Sequence, residues 1–600
     1  MTAPVAPRRR LDSWLLWTLY LLTAASYPFA MLVVDSGRDL AWAHAIAGGS
    51  DWPLLGPGLN ALWQLGPLWF YLLALPFWFG AGIGGTALAV GLLAAAKLPL
   101  AYALGRRWQD ATFGLAFAAA VALPGWSTFG QLVLLHTSVV ETALLATLLF
   151  ALRAWQTERM RDALAAAALL GIALHAHPTA LTAAPAVALA LLRVARAGKP
   201  AVLLWAPLCF LVPFAPMLWA EAAAGWPQWR ATTGYFGGGD YAARLERAPS
   251  LLRGLTLGSI ELSRRFLFAS WPWLANASGA LLAALGVIGA AGWLARPRRV
   301  EWLLAALALA AGGLVLLLRD TTPEWMTYAL APFGAALLAV GWLAPWRDRR
   351  REQVARIAAA CAVLLVAAWL VERVAISRRG LQSLPGAAIA DVAVPPRDDG
   401  LPRFWLPAWG QDALAQRLCS AATPIAVHGD LASALHFGQG VALARHCAAA
   451  DGVSLGGNAI RHLAGVPRAL ASSLGIEGEA SPWGFVLTPR VVALHPARGA
   501  RVQFHTRYVL DDYLPRLRAG RSEKIAVATD CRAGDVLVAT NLLPLLNEPF
   551  ELSDSTGVTP AASARTIASA YYACPPGGRI VLELRVLDPL AADVFLLPAG

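Results

Sequence analysis

"RRRLDSWLLWTLYLLTAASYPFAMLVVDSGRD" (Arg8–Asp39) decides how the rest of the chain is read. Three arginines precede an apolar run of about 20 residues, the length that crosses a bilayer. Charge returns as soon as the run ends, at Asp35, Arg38 and Asp39, with His44 shortly after. A signal-peptide core is shorter, and no small-residue cleavage site leads into "DSGRD", so the run reads as an uncleaved anchor. Basic residues stay on the cytoplasmic side of a membrane. The N-terminus is therefore expected inside, the first span between about Ser13 and Val34, and Asp35 outside.

Composition points the same way. Of 600 residues, 58% are hydrophobic and 14% charged, with 25 tryptophans and a mean hydropathy of +0.54. A soluble chain of that balance has nowhere to hide its apolar surface, which implies a polytopic α-helical membrane protein. The net charge of +12 is not a nucleic-acid signal, because no basic patch is interleaved with stacking aromatics. The cations instead fall in short groups between apolar runs: Arg106 and Arg107; Arg153, Arg159 and Arg161; Arg193, Arg196 and Lys199; Arg296 to Arg299; Arg347 to Glu352.

Holding every group inside requires eleven spans, near 13–34, 82–104, 111–125, 132–152, 163–175, 179–192, 201–220, 279–295, 301–318, 327–345 and 353–371. "GPLWFYLLALPFWFG" (Gly66–Gly80) is read as a re-entrant or interfacial piece, since a further crossing there would put Arg106 and Arg107 outside. The expected organisation is a membrane domain over 1–371, with outer loops at 35–65 and 221–278, and a soluble extracytoplasmic domain over 372–600.

That second domain reads as mixed α/β, from Pro/Gly-rich turns ("SLPGAA", "VPPRDDG") and alternating runs ("KIAVAT", "RIVLELRVL"). It holds Cys419, Cys447, Cys531 and Cys574. An even number outside the cell suggests two disulfides, of which 419–447 and 531–574 is one arrangement; four free thiols are the alternative. Zinc is disfavoured by the lack of CxxC or HxxxH spacing.

On this map the rare polar groups gather at the outer face. "SGRD" (Ser36–Asp39) fits a capping box, with Ser36 opening a helix and Asp39 reaching back to its amides. The following Leu40, Ala43 and Ala47 then line one side of a short interfacial helix, with Trp42 at the headgroup level. Asp35 stands outside that box; capping of this interfacial helix or solvation at a helix end is one reading of it, and the other is a carboxylate at the membrane boundary that accepts a proton or holds a cation. Glu141 lies in the outer part of an otherwise apolar span, where either function or the helix dipole accounts for it. His175 and His177 could share a metal only if the chain unwinds before Pro178, because residues two apart leave a helix on different faces. Arg319 offers a fork of donors for a phosphate, or pairs locally with Asp320 or Glu324.

The succession of a first span, an acid at its outer end, an interfacial helix and "LWQLGPLWFYLLALP" resembles the start of GT-C type membrane glycosyltransferases. Within that group the pattern is similar to the protein O-mannosyltransferases and the lipid A aminoarabinose transferases. Asp35 takes the place of the first acid, "GPLWFYLLAL" that of a Pro-Pro stretch with one proline missing, and Glu141 in "VVETALLATLLFAL" that of the second acid. "MTYALAPF", containing Tyr328, is similar to a segment that usually carries an arginine where Met326 and Thr327 stand. The resemblance covers about residues 12–345 and implies sugar transfer from a polyprenyl-phosphate donor to a hydroxyl of a lipid, glycan or protein acceptor.

It further implies Asp35 as the base, Glu141 as metal ligand or acceptor-orienting group, and Arg264, Arg265 or Arg319 on the donor phosphate. Asp39, His44, His175, His177, Glu324 and Tyr328 would support them. Attack opposite the leaving phosphate would invert the anomeric centre. The resemblance leaves room for a divalent metal, but no ligand set stands out. The expected location is a bacterial inner membrane, with the C-terminal domain in the periplasm. A transporter or flippase of a lipid-linked glycan is the competing reading; it predicts internal repeats and charges near the bilayer midplane.

Overall fold

The protein is described by a computed structural model that covers residues 7–30, 32, 34–49, 52–59, 63–123, 133–230, 273, 291, 327–379, 407–419, 425–427, 446, 460–467, 471–472, 474–480, 485–495, 523–541, 551–553, 569–586 and 592–599. It divides into two units. The first comprises Met1–Tyr27, Trp52–Leu73 and Leu88–Glu372; the second comprises Pro28–Asp51, Ala74–Ala87 and Arg373–Gly600.

The first unit is helical apart from an antiparallel pair of short strands, β1 (Gly58–Leu59) and β2 (Trp63–Gln64). Helix α1 (Pro7–Ser26) ends where a 3-10 turn begins at Tyr27, short of the expected Val34. Pro28 explains this, because proline disfavours helical geometry in the residue before it. Beyond α2 (Val34–Ala47), which belongs to the second unit, the run at 66–80 forms α3 (Leu68–Trp78), whose 11 residues are too short to cross a bilayer upright. Next come α4 (Ile83–Ala95), α5 (Lys97–Trp108), α6 (Ala111–Ala122), α7 (Val140–Thr157), α8 (Met160–Ala176), α9 (Ala184–Arg196), α10 (Val202–Leu211) and α11 (Ala215–Ala223). The membrane part ends with α12 (Thr327–Leu343) and α13 (Asp348–Arg379). Five described stretches are long and apolar enough to cross a membrane: Ile83–Trp108, His136–Thr157, Pro178–Arg196, Val202–Ala223 and Asp348–Ala375. The spans expected at 279–295 and 301–318 lie outside the described residues.

Two apolar clusters hold this unit together. In one, Leu19 of α1, Leu98 of α5, Phe113 and Phe117 of α6, Leu145 of α7 and Leu343 of α12 are buried with Val366 of α13. Helices α5 and α6 touch through glycine: a Cβ on Gly105 would lie 2.8 Å from the Cα of Gly114. In the other, α7 to α10 meet through alanines such as Ala154, Ala163, Ala166, Ala173 and Ala190, small residues that let membrane helices approach closely. Ion pairs fasten the helix ends. Arg356 of α13 holds Asp12 of α1 at 2.8 Å. Arg351 pairs with Asp110, which also caps α6 by accepting the Phe113 N–H at 2.8 Å.

In the second unit, α14 (Ala408–Cys419) lies beside the chain that follows α1: the Ala408 N–H donates to the Ala30 carbonyl (3.1 Å). The rest of what is described there is mainly strand. One sheet runs in the order β10 (Ser569–Ala573), β8 (Val536–Asn541), β12 (Ala592–Leu597), β6 (Phe485–His495), β4 (Ile460–Pro467) and β3 (Ile425–Val427), and β5 (Glu479–Ala480) pairs with β6. Among the described pairings of this sheet, β3–β4 is parallel and the others are antiparallel. The second sheet is β7 (Glu523–Asp530), β11 (Arg579–Val586) and β9 (Glu551–Ser553). The runs "KIAVAT" and "RIVLELRVL" supply β7 and β11, antiparallel partners from Arg579 opposite Asp530 to Val586 opposite Glu523. Ile580, Leu582 and Leu584 alternate into the core with Leu537, Tyr572 and Val594. Cys531 and Cys574 form a disulfide. The other suggested pairing involves Cys447, outside the described residues.

Candidate functional site

Among the described residues of the first unit, one ion pair is buried on both sides. Between α4 and α5 the helical ladder slips at Ala96, whose N–H donates to the Leu93 carbonyl (3.2 Å). Pro99 gives the reason, since it has no N–H to offer Ala95 and its ring crowds that carbonyl. Carbonyls loosened inside a membrane need partners. The Thr142 hydroxyl supplies one, lying 3.1 Å from the Leu93 oxygen and 2.8 Å from the Ala94 oxygen. Its neighbour Glu141 meets Lys97, the first residue of α5: Nζ and Oε2 are 2.6 Å apart, and the two side chains are 3% and 6% exposed. Glu141 is also the second residue of α7, where a helix N-terminus favours negative charge. The structure thus places Glu141 in the dipole position and in an ion pair together.

Three histidines are buried in the same unit. Helix α8 ends at Ala176, and His177 takes up an extended conformation before Pro178 (φ −167°, ψ 142°), which is the unwinding the sequence required. The two rings then go separate ways. His177 Nδ1 lies 2.8 Å from the Thr179 hydroxyl, and its ring stacks on His136, 6.2 Å between centroids. His175 packs on Phe214 at 4.5 Å and directly on Gly66, where a Cβ would come within 2.0 Å of the imidazole. The glycine of "GPLWF" is therefore required by His175. Glu221 is buried as well; it accepts the Gln228 N–H at 3.1 Å, and the Gln228 side chain accepts the Gln64 N–H at 2.8 Å. Among the described residues, no group of three or more His, Cys, Asp or Glu is placed to hold a metal ion.

The remaining acids belong to the second unit. Asp35 is the second residue of α2, not a residue ahead of it. The helix starts at Val34, so Ser36 sits inside the first turn and the capping box drawn from "SGRD" does not describe this helix start. A carboxylate in a first turn suits the dipole, which gives α2 a physical reason to begin early. Asp39 is 1% exposed, with Arg38 Nη2 2.8 Å from its Oδ1. Leu40, Ala43 and Ile46 form the buried stripe; Ala47 is half-buried. His44 meets the Phe77 ring edge-on at 6.0 Å. Tyr328 is the second residue of α12. Arg264, Arg265, Arg319 and Glu324 lie outside the described residues, as does Asp320.

The chain is similar to ArnT. The ArnT from Cupriavidus metallidurans, solved bound to undecaprenyl phosphate, aligns over 81% of this chain and 98% of its own at 14% identity, with a TM-score of 0.44. An oligosaccharyltransferase from Archaeoglobus fulgidus aligns over 98% and 94% at 11% identity, TM-score 0.39. Arabinosyltransferase EmbB from Mycobacterium smegmatis aligns over 99% and 65% at 13% identity, TM-score 0.36. At these scores a likeness fixes neither fold nor chemistry. No family model and no curated sequence matches the chain.

Lys97 is the residue that sequence reasoning missed. Its signal was present: a single lysine inside an apolar run, two residues ahead of a proline. An apolar cleft lined by Leu104, Trp108, Phe117, Leu148, Pro332 and Phe333 includes none of the expected site residues.

Proposed function

We propose that this protein is a GT-C type membrane glycosyltransferase that moves a sugar from a polyprenyl-phosphate donor to an acceptor hydroxyl at the extracytoplasmic face. The observation that carries the reading is Glu141, an acid matched to the second acid of the sequence pattern and buried in an apolar helical unit against Lys97. Ionisable groups within spanning segments are expensive and tend to be retained for function. Asp35 accepts the acceptor's proton as its oxygen attacks the anomeric carbon. The bond to the phosphate oxygen breaks, polyprenyl phosphate leaves with the negative charge, and the configuration inverts. Glu141 orients the acceptor. Arg264, Arg265 and Arg319 are the candidates for holding the phosphate, with Asp39, His44, His175, His177, Glu324 and Tyr328 in support. The described residues do not make up a metal site, and no step here runs through one. The protein sits in a bacterial inner membrane with its C-terminal domain in the periplasm.

One observation favours the transporter reading: the helix break beside a buried ion pair at Ala96 and Lys97 has the form of a discontinuous helix around a binding site. A single assay separates the two. Proteoliposomes carrying the full chain are given a labelled polyprenyl-phosphate sugar, and both sugar transfer and lipid crossing are followed. The transferase reading expects transfer by the wild type and a loss of at least about a hundredfold in Asp35→Asn and Glu141→Gln. Lipid crossing without transfer would replace it with the transporter.

A further inference from the structure

We infer that Lys97 is a positioning residue for Glu141, and that the break between α4 and α5 exists to bring its ammonium there. This rests on the proposed transfer reaction. Two consecutive residues of α7 clasp the break. Thr142 takes the carbonyls of Leu93 and Ala94, and Glu141 takes the ammonium of Lys97. The first contact fixes the height of α7 along the broken helix. The second fixes the direction of the carboxylate.

A simple staple between helices would not need charge. Well-packed apolar residues of similar volume serve as well as a buried ion pair, because desolvating two ions offsets most of their attraction. Nor would a staple need the break, since Pro99 costs helical hydrogen bonding that a continuous span keeps. The Lys97 side chain is 3% exposed, so its ammonium does not reach the surface as a snorkelling lysine would. What charge adds at such a depth is orientation. The ammonium holds Oε2 at 2.6 Å and so sets where the other carboxylate oxygen points. Lys97 is thereby assigned to act on the acceptor through Glu141, without touching substrate.

The test is a double-mutant cycle on the full chain in proteoliposomes, with thermal unfolding followed for every variant. Lys97→Gln should lower kcat about a hundredfold, the scale of an ångström-level misplacement, with KM nearly unchanged. Lys97→Arg should recover part of the rate, since a guanidinium also holds a carboxylate but at a different reach. Lys97→Gln/Glu141→Gln should be as active as Glu141→Gln alone, because a residue acting only through Glu141 has nothing left to act on. Full activity in Lys97→Gln would overturn the inference. So would a double variant about tenfold or more slower than Glu141→Gln, since the two residues would then act independently. Should Lys97→Gln not fold, Lys97→Arg and the neutral double variant carry the comparison by themselves. A wild type that transfers no sugar overturns the transferase reading and this inference with it, whereas a transferring wild type with additive variants overturns the inference alone.

Discussion

Ion pairs tie the helices of the first unit at different depths, with Arg153–Asp162 between the extremes at 29% and 3% exposed. Arg356–Asp12 joins α13 to α1 with both partners more than a fifth exposed, and Arg351–Asp110 is likewise open to its surroundings. Lys97–Glu141 has nearly the same separation as the Arg356 pair but is almost sealed. Arg351 belongs to a group that was read as an orientation signal, and Arg356 follows that group by one helical turn. Such charges cost little where they stand and gain little by pairing. Lys97 belongs to no such group. Its charge is expensive where it lies, and a chain that spends only 14% of its residues on charge has placed it against a candidate site acid. Depth, more than the presence of a salt bridge, separates an anchor from a working group.

The largest effect on stability should come from removing one side of the sealed pair. Lys97→Met keeps the length of the side chain but takes the ammonium away from a carboxylate that is 4% exposed. A loss of about 3–5 kcal/mol is expected, the usual cost of leaving a buried charge without its counterpart. Unfolding in detergent, compared with Lys97→Met/Glu141→Leu, checks it. The double variant should regain most of the loss, because an apolar pair of similar bulk needs no counter-charge. If Lys97→Met is as stable as wild type, the contrast in depth has no energetic meaning.

Gly66→Ala comes next. The new methyl would sit 2.0 Å from His175, whose ring is 2% exposed and backed by Phe214, so it has little room to turn away. Overpacking of this kind costs about 1–3 kcal/mol, which would show as an unfolding temperature for Gly66→Ala below that of the wild type. Gly577→Ala is the control, since a Cβ there would meet nothing within 4 Å. An unchanged unfolding temperature in Gly66→Ala would mean that the GPL stretch and His175 are not packed as described.

What could be read from sequence follows from how local each signal is. "RIVLELRVL" announces a strand because alternation is a property of neighbours, and β11 appears where it was expected. The arginines after 66–80 argued for a re-entrant or interfacial piece there, but that it would form a helix of 11 residues was not legible from them. The start of α2 could not be placed. "SGRD" satisfies the capping pattern, yet Val34 and Asp35 are equally acceptable in a first turn, and the pattern has no means of choosing. Lys97 was hidden for a different reason: its partner is 44 residues away, and no local rule pairs a lysine in one span with a glutamate in another. Glu141 was legible as an odd residue in an apolar segment, but what it touches required the fold. The same holds for His175, whose contact with Gly66 crosses more than a hundred residues.

The smallest effect sharpens the comparison from its other end. Arg356→Ala removes the partner of Asp12 at a place where both groups already meet solvent or headgroups. The change should cost no more than about 1 kcal/mol, the usual worth of an exposed pair, and should leave sugar transfer at the wild-type rate. The measurement is the same unfolding series, run at low and high salt. An exposed pair is screened by salt while a sealed one is screened much less, so the Arg356→Ala difference should shrink with salt and the Lys97→Met difference should persist. A loss in Arg356→Ala as large as that in Lys97→Met would show that the end pairs hold the bundle together, and burial would then no longer distinguish the pair that positions Glu141 from the pairs that only fasten helices.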